Sequence, residues 1–392
     1  MGLVRRTLRA LPLRQDTILF ESFPELSGSP RMVYDELRRR GLDRHYRLRW
    51  AVAASFSPPD GIDGVPFFGD LGLGAQLRRE IVRAKAKAIV DSNRFVGKCK
   101  KSTYRLYVRH GGVLKNCDWY LAQMGEVDCC LSLSQNLLDA ERKQFRGKLP
   151  RFAYLGYPVH DQLFDSVDPI ALGFWEKLVG RPERFSKIIG WLPTYRQHND
   201  SLRLNRDMTV FPFGVPLLRT DEDFRRLNAL LQRENILLAV QMHPAQAANF
   251  PRWDLSHIVK VDPALKEALG ISTLHLMKGF DALVTDYSGA YYEFLLLDRP
   301  VGITVDDYAA YAEKPGFALD FFDWIKGEYL KTPLDLERFV ENVARGLDPA
   351  REARRAAALR IHPFTDNQST KRVADLLCAE AGLSGGVPER RG

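Results

Sequence analysis

Short apolar runs alternate with helical stretches along almost the whole chain, and no other feature constrains the fold as strongly. TILFESF (17–23), YRLRWAVA (46–53), AKAIVDSN (86–93), TYRLYVRHG (103–111) and VDCCLSLS (127–134) read as strands, and SPRMVYDELRRRG (29–41) as a helix ending at Gly41. A second series follows. KIIGWLPTYR (187–196), ILLAVQMHP (236–244), HIVKV (257–261), ALVTDYSG (282–289) and RPVGITV (299–305) are strands, several running into loops. DEDFRRLNALLQREN (221–235) and AYYEFLLLD (290–298) are the helices between them, and LDLERFVENVARGL (334–347) is the clearest of those that close the chain. Such alternation predicts parallel sheets with helices on both faces. The rhythm breaks over 157–183, where GYPVHDQLF and the amphipathic ALGFWEKLVG lie. This break predicts two domains, 1–165 and 166–392, with the last helix able to cross back. In open α/β sheets ligands sit beyond the carboxyl ends of the strands, so chemistry is expected just after each strand.

A chain of 392 residues accommodates two domains of ordinary size. A composition 45% hydrophobic and 27% charged is that of a globular protein rather than a disordered one. Lysine and arginine exceed acids by 57 to 49, a net charge of +8. This excess suits an anionic membrane surface, a polyphosphate-type substrate or nucleic acid. No nucleic-acid-binding motif is visible and the arginines are spread between acids, so nucleic acid is set aside. Cys99, Cys117, Cys129, Cys130 and Cys378 form no CxxC pair and no Cys/His ligand spacing. A zinc site and a disulfide framework are therefore not expected, and a reducing cytosol is. No apolar run approaches the roughly 20 residues that cross a bilayer, and the start lacks the apolar core of a signal peptide. Residues 1–14 carry Arg5, Arg6, Arg9 and Arg14 and no acid, with Leu3, Val4, Leu8 and Leu11 at helical spacing. Such a helix can be a foot on an anionic membrane or a first helix docked on its domain, and Pro12 ends it early.

Five segments carry candidate chemistry. In ALVTDYSGAYYEFLLLDRPV an apolar strand runs into Asp286, Ser288 and Gly289 and a helix begins at once. Free N–H groups and the helix dipole favour an anion there, Ser288 adds a hydroxyl, and Gly289 allows close approach to the backbone. An ordinary helix cap would have the same sequence. TYRLYVRHGGVLK places His110 past a strand, followed by Gly111, Gly112 and Lys115, while AVQMHPAQ places His243 past another. A histidine titrates near working pH and can take a proton from an attacking hydroxyl or support a phosphoryl oxygen. GWLPTYR supplies Thr194 and Arg196, the arginine fork matching phosphate. GYPVHDQLF supplies a turn with His160 and Asp161. No cluster of metal ligands is evident, although Asp306–Asp307 after ITV could take Mg²⁺.

Taken in order, FES, DSN, RHGG-x-LK, GYPVHD-x-LF, LPTYR, HP and LVTDYSG-x-YYEFLLLDRPV resemble the CDP-glycerol glycerophosphotransferases, the teichoic-acid primases and polymerases and some capsule polymerases. The resemblance runs from residue 17 to about 372. It implies a GT-B-like fold, with two Rossmann-like domains whose parallel sheets face each other across a cleft and with the donor held by the second. It further implies a cytoplasmic enzyme, peripheral on the inner face of the membrane. By position it makes His110 the general base or acceptor-positioning group and His243 the histidine beside the donor diphosphate. Thr194, Arg196, Asp286, Ser288 and Gly289 become the donor-binding set, with Lys115 and Asp161 as further candidates. The expected donor is CDP-glycerol or CDP-ribitol and the acceptor a lipid-linked or polymeric glycan, CMP being released. Three departures bear on the polyol and acceptor: Gly112 and Val113 stand where the family commonly has Thr-Pro, Gly289 stands for a second serine, and Asn367 in HPFTDNQST stands for a glycine. A GT-B glycosyltransferase using a nucleotide-sugar is the alternative that the same phosphate loop would serve.

Overall fold

The computed structural model describes residues 2–94, 96–97, 99–109, 111–116, 127–145, 149–180, 185–194, 211–242 and 255–384. The chain divides into two compact units, one made of residues 1–112, 118–161 and 363–392 and the other of 113–117 and 162–362.

The first unit is built on seven parallel strands: β1 (Thr17–Phe20), β2 (Arg47–Ala53), β3 (Asp63–Phe68), β4 (Ala86–Asp91), β5 (Tyr104–Tyr107), β6 (Cys129–Leu131) and β7 (Arg151–Ala153). Their order in the sheet is β3-β2-β1-β4-β5-β6-β7. Central β1 pairs with β2 on one side and β4 on the other, setting Leu19 opposite both Arg49 and Ile89. Ile18, Leu19 and Phe20 are all wholly buried, which is why this strand is a continuous apolar run rather than an alternating one. Phe20, Trp50 of β2 and Tyr34 of the helix Gly28–Arg39 meet with ring centroids 5.3–5.5 Å apart. Each such buried apolar side chain contributes on the order of 1.5–3 kcal/mol. The helix Ser369–Ala381 packs on Gly28–Arg39, where Arg40 pairs with Asp375 at 2.6 Å.

The second unit repeats the plan with β8 (Lys187–Leu192), β9 (Ile236–Val240), β10 (Ile258–Lys260), β11 (Ala282–Thr285), β12 (Val301–Thr304) and β13 (Glu328–Leu330). The order is β10-β9-β8-β11-β12-β13, and every pair is parallel. Its core gathers Trp191, Leu238, Val240 and Val284 under the helices Asp221–Arg233 and Pro333–Ala344. Each of those helices opens on a reciprocal cap, Thr220 with Asp223 and Thr332 with Asp335. Gly190 of β8 is dictated by space: a Cβ there would lie 2.2 Å from the Phe280 ring.

Both sheets thus match the parallel α/β expectation. Among the elements that escape the sequence reading are β3, β7, β13 and the helix Leu73–Lys85, which passes directly into β4 without a linker. The strand expected over 127–134 is regular only at Cys129–Leu131.

Candidate active site

In the second sheet the strand order reverses between β8 and β11, and the loops leaving these two strands meet at their carboxyl ends. The meeting is specific. Asp286, the first residue after β11, is wholly buried. Its carboxylate accepts the backbone N–H of Thr194 at 2.9 and 3.0 Å and the Thr194 hydroxyl at 2.6 Å. Beside it the Thr285 hydroxyl donates to the Leu192 carbonyl at 2.8 Å. A buried carboxylate satisfied by a backbone amide and a hydroxyl is a strong, oriented anchor. Sequence-expected Thr194 and Asp286 are therefore in direct contact, although 92 residues separate them.

The rest of the loop leads into the helix Ala290–Leu295. Ser288 is half-buried and its Oγ accepts the Ala290 N–H at 3.3 Å. Gly289 has helical backbone (φ −58°), so its contribution is the missing side chain, not an unusual conformation. Tyr287 turns the other way, wholly buried, and donates to Asp307 at 3.0 Å.

The remaining expected residues are distributed as follows. Asp306 faces Arg219 at 2.6 Å and accepts the Leu217 N–H, and burial raises its pKa, with Asp307 adding to the rise. Among the described residues no group of three or more His, Cys, Asp or Glu could hold a metal ion. Asp161 accepts the N–H groups of Ser369 and Thr370 at 3.0 and 2.8 Å, capping the last helix of the first unit. Gly156 in the same turn has φ +75°, and a Cβ on it would reach 2.4 Å from the Ser369 hydroxyl. Lys115 lies in the second unit, bridged antiparallel to Phe317, and the neighbouring Val113 carbonyl accepts the Tyr292 hydroxyl at 2.6 Å. His110, Arg196 and His243 lie outside the described residues.

The residue immediately before His110 is informative. Arg109 is buried, holds a left-handed φ of 55°, and forms an ion pair with the buried Glu141 of the helix Leu138–Gln144. A non-glycine residue in that conformation persists only where its surroundings hold it, as a buried ion pair does here.

Two further groups were not singled out from sequence. Glu21, next after β1, sits where the first sheet reverses order and accepts from Asn93 N–H at 2.9 Å, Ser92 N–H at 3.3 Å and Arg94 Nε at 3.0 Å. Burial, with nearby Asp91, pushes its pKa up to about 7. Its position as the first residue past an apolar strand was the available signal. Gln241, next after β9, meets Lys266 and Thr273, and no local motif joins these three.

Comparisons with known proteins identify the family and the fold. The family model for CDP-glycerol:poly(glycerophosphate) glycerophosphotransferase matches residues 3–379. The chain belongs to that family. A teichoic acid poly(glycerol phosphate) polymerase of Bacillus subtilis (strain 168) is 24% identical over 345 residues, covering 82% of this chain and 43% of the relative. The chain thus spans less than half the length of that relative. A polymerase of the same description from Bacillus spizizenii is 25% identical over 361 residues, 84% of each chain. Among solved structures, a point variant of the wall teichoic acid polymerase TagF superposes with a TM-score of 0.71 at 18% identity, over 96% of this chain and 93% of that one. At such identity the likeness carries the fold alone, in keeping with the GT-B-like expectation of two parallel α/β units.

Proposed function

We propose that this chain transfers glycerol phosphate from CDP-glycerol to a hydroxyl of a lipid-linked or polymeric cell-envelope acceptor, as in wall teichoic acid synthesis. The family match over residues 3–379 carries the reading. The acceptor oxygen attacks the phosphorus that bears the glycerol, the bond from that phosphorus to the bridging oxygen breaks, and CMP leaves with the electron pair. His110 takes the proton of the attacking hydroxyl. His243, Arg196, Ser288 and the backbone at Gly289 hold the diphosphate and meet the charge that develops on the leaving phosphate, a matter of positioning and fixed dipoles. Thr194 gives both its donors to Asp286, so this pair positions the loops after β8 and β11 rather than touching the phosphates. The buried Arg109–Glu141 pair fixes the residue next in the chain to His110.

Glycerol is favoured over ribitol by the family description and by the two poly(glycerol phosphate) polymerases. Among the described residues no helix is long and apolar enough to cross a membrane. The enzyme works at the inner membrane face, with the helix Gly2–Ala10 and its arginines against anionic lipid. The test incubates the protein with CDP-glycerol, CDP-ribitol, UDP-glucose and GDP-mannose in the presence of a membrane-derived acceptor, measuring CMP, UDP and GDP. Release of CMP from CDP-glycerol is expected. Release of UDP or GDP without CMP would make the chain a glycosyltransferase instead.

A further inference from the structure

One cation at the carboxyl edge of the second sheet has no carboxylate facing it among the described residues. β10 runs into the short helix Pro263–Ala268, whose first turn is capped by Asp262 on the Ala264 N–H at 2.9 Å. The chain turns at Gly270, φ +64°, and Ser272 caps the next helix, Thr273–Lys278. The two helices bring Lys266 and Thr273 over Gln241, the residue that follows β9. Lys266 Nζ lies 2.9 Å from Thr273 Oγ1 and 3.3 Å from Gln241 Oε1, and Gln241 Nε2 donates to the same Thr273 oxygen at 2.8 Å. Gln241 is tied in turn to β8, the strand that leads to Thr194, its N–H donating to the Trp191 carbonyl at 2.9 Å.

An ammonium has three N–H donors. The two neutral oxygens take two of them and supply no counter-charge. Lys266 is half-buried and loses hydration without an acid to offset the loss, and burial alone pulls its pKa down to about 8. A glutamine could donate to the same two oxygens without burying a charge. A desolvated cation held in place by neutral partners is instead what an anion arriving later would meet, and it stands at the edge of the sheet where α/β proteins take their ligands.

We propose that Lys266, positioned by Gln241 and Thr273, forms an anion-binding subsite for the diphosphate of the nucleotide donor. The proposal rests on the donor reading above and adds to it a cation on the β9–β10 side of the order reversal.

The experiment is calorimetric titration of CDP-glycerol, CDP and uncharged cytidine into the full chain and its Lys266→Met, Lys266→Arg and Thr273→Val variants, from pH 7 to pH 10. Lys266→Met is expected to weaken CDP and CDP-glycerol roughly 10–100-fold, the loss of one charge-assisted hydrogen bond, with cytidine unchanged. Lys266→Arg should recover most of the loss. The wild-type affinity for CDP should fall as pH rises above about 8, where the free ammonium loses its proton, and the Lys266→Met profile should lack that fall. The melting temperature of each variant reports folding, and Thr273→Val, which keeps the charge but loosens its support, should weaken CDP less than Lys266→Met does. Wild-type binding of CDP by Lys266→Met, or an equal loss for cytidine, overturns the subsite. If the wild type ignores cytidine compounds but binds UDP or GDP, the donor reading fails, and the same variants titrated with that diphosphate still decide the role of Lys266. Absence of binding to any nucleoside diphosphate and to inorganic pyrophosphate overturns both.

Discussion

Replacing Asp286 by asparagine tests whether the two loops at the strand reversal depend on one carboxylate. In the native side chain both oxygens accept from the Thr194 N–H, at 2.9 and 3.0 Å, and one also accepts the Thr194 hydroxyl at 2.6 Å. Asparagine keeps one acceptor and puts an NH₂ where the second oxygen stood, facing a donor. The charge-assisted bonds become neutral and one contact becomes unfavourable, a loss of about 2 kcal/mol from bonds of about 1.5–3 kcal/mol each to charged groups. For a domain of the size of the second unit this corresponds to a fall in Tm of roughly 4–8 °C. Thr194→Val removes only the hydroxyl donor and should cost about 1 kcal/mol. Because the two side chains share one contact, the double variant should be less destabilised than the sum, with a coupling of about 1–2 kcal/mol. Urea unfolding of the four proteins measures the cycle, and calorimetric titration of CDP-glycerol shows whether loosened loops lose donor affinity with it. Additive effects, or an Asp286→Asn protein as stable as the parent, would show that this carboxylate does not hold the loops together.

Three other outcomes are expected. Gly190→Ala places a Cβ 2.2 Å from the Phe280 ring and should destabilise the protein by roughly 1–3 kcal/mol, read as a shift in urea midpoint without a change in slope. His110→Ala should lower CMP release by roughly 10²–10⁴-fold with donor affinity unchanged, whereas His243→Ala should weaken donor binding as well; the reverse pattern would exchange their roles, and full activity of both would make them structural. Glu21 has a folded-state pKa near 7 against 4.5 unperturbed, so the native state holds its proton more tightly than the unfolded state. Its contribution to stability is therefore fully present below about pH 4.5 and is lost as pH rises to about 7. The difference in urea midpoint between wild type and Glu21→Gln should change across that window and level off above it.

The elements legible in the sequence share a physical cause. β1, β4, β8, β9 and β11 are buried on both faces, so each is a nearly unbroken apolar run that ends abruptly at a polar residue. β3 is an edge strand that includes Pro66, a residue tolerated there because one side of the strand needs no partner, and its DGVPFF sequence gives little strand signal. β7 has only three residues and no wholly buried side chain. At the candidate site, Asp286, Ser288 and Gly289 stand in one local pattern where a strand becomes a helix. The bond from Asp286 to Thr194 had no such pattern, since it exists only once β8 and β11 are paired. Lys266, Gln241 and Thr273 are further from legibility, being drawn from three separate stretches of chain and joined without any opposite charge. Arg109 and Glu141 likewise show their dependence only when both are buried together.

The path of the chain has a consequence for how the protein is made. The first unit begins at the amino terminus but needs the helix Ser369–Ala381, whose first turn is capped by Asp161 and whose Asp375 meets Arg40. All the segments of the second unit have been synthesised by residue 362. On the ribosome, the part that starts first is therefore completed only after the second unit, and its sheet must wait, with the surface at β4 and β5 beside Gly28–Arg39 still uncovered, until the helix Ser369–Ala381 emerges. Neither unit can be excised as one contiguous stretch, so a break near residue 362 would damage the far end of the chain rather than the segment it adjoins.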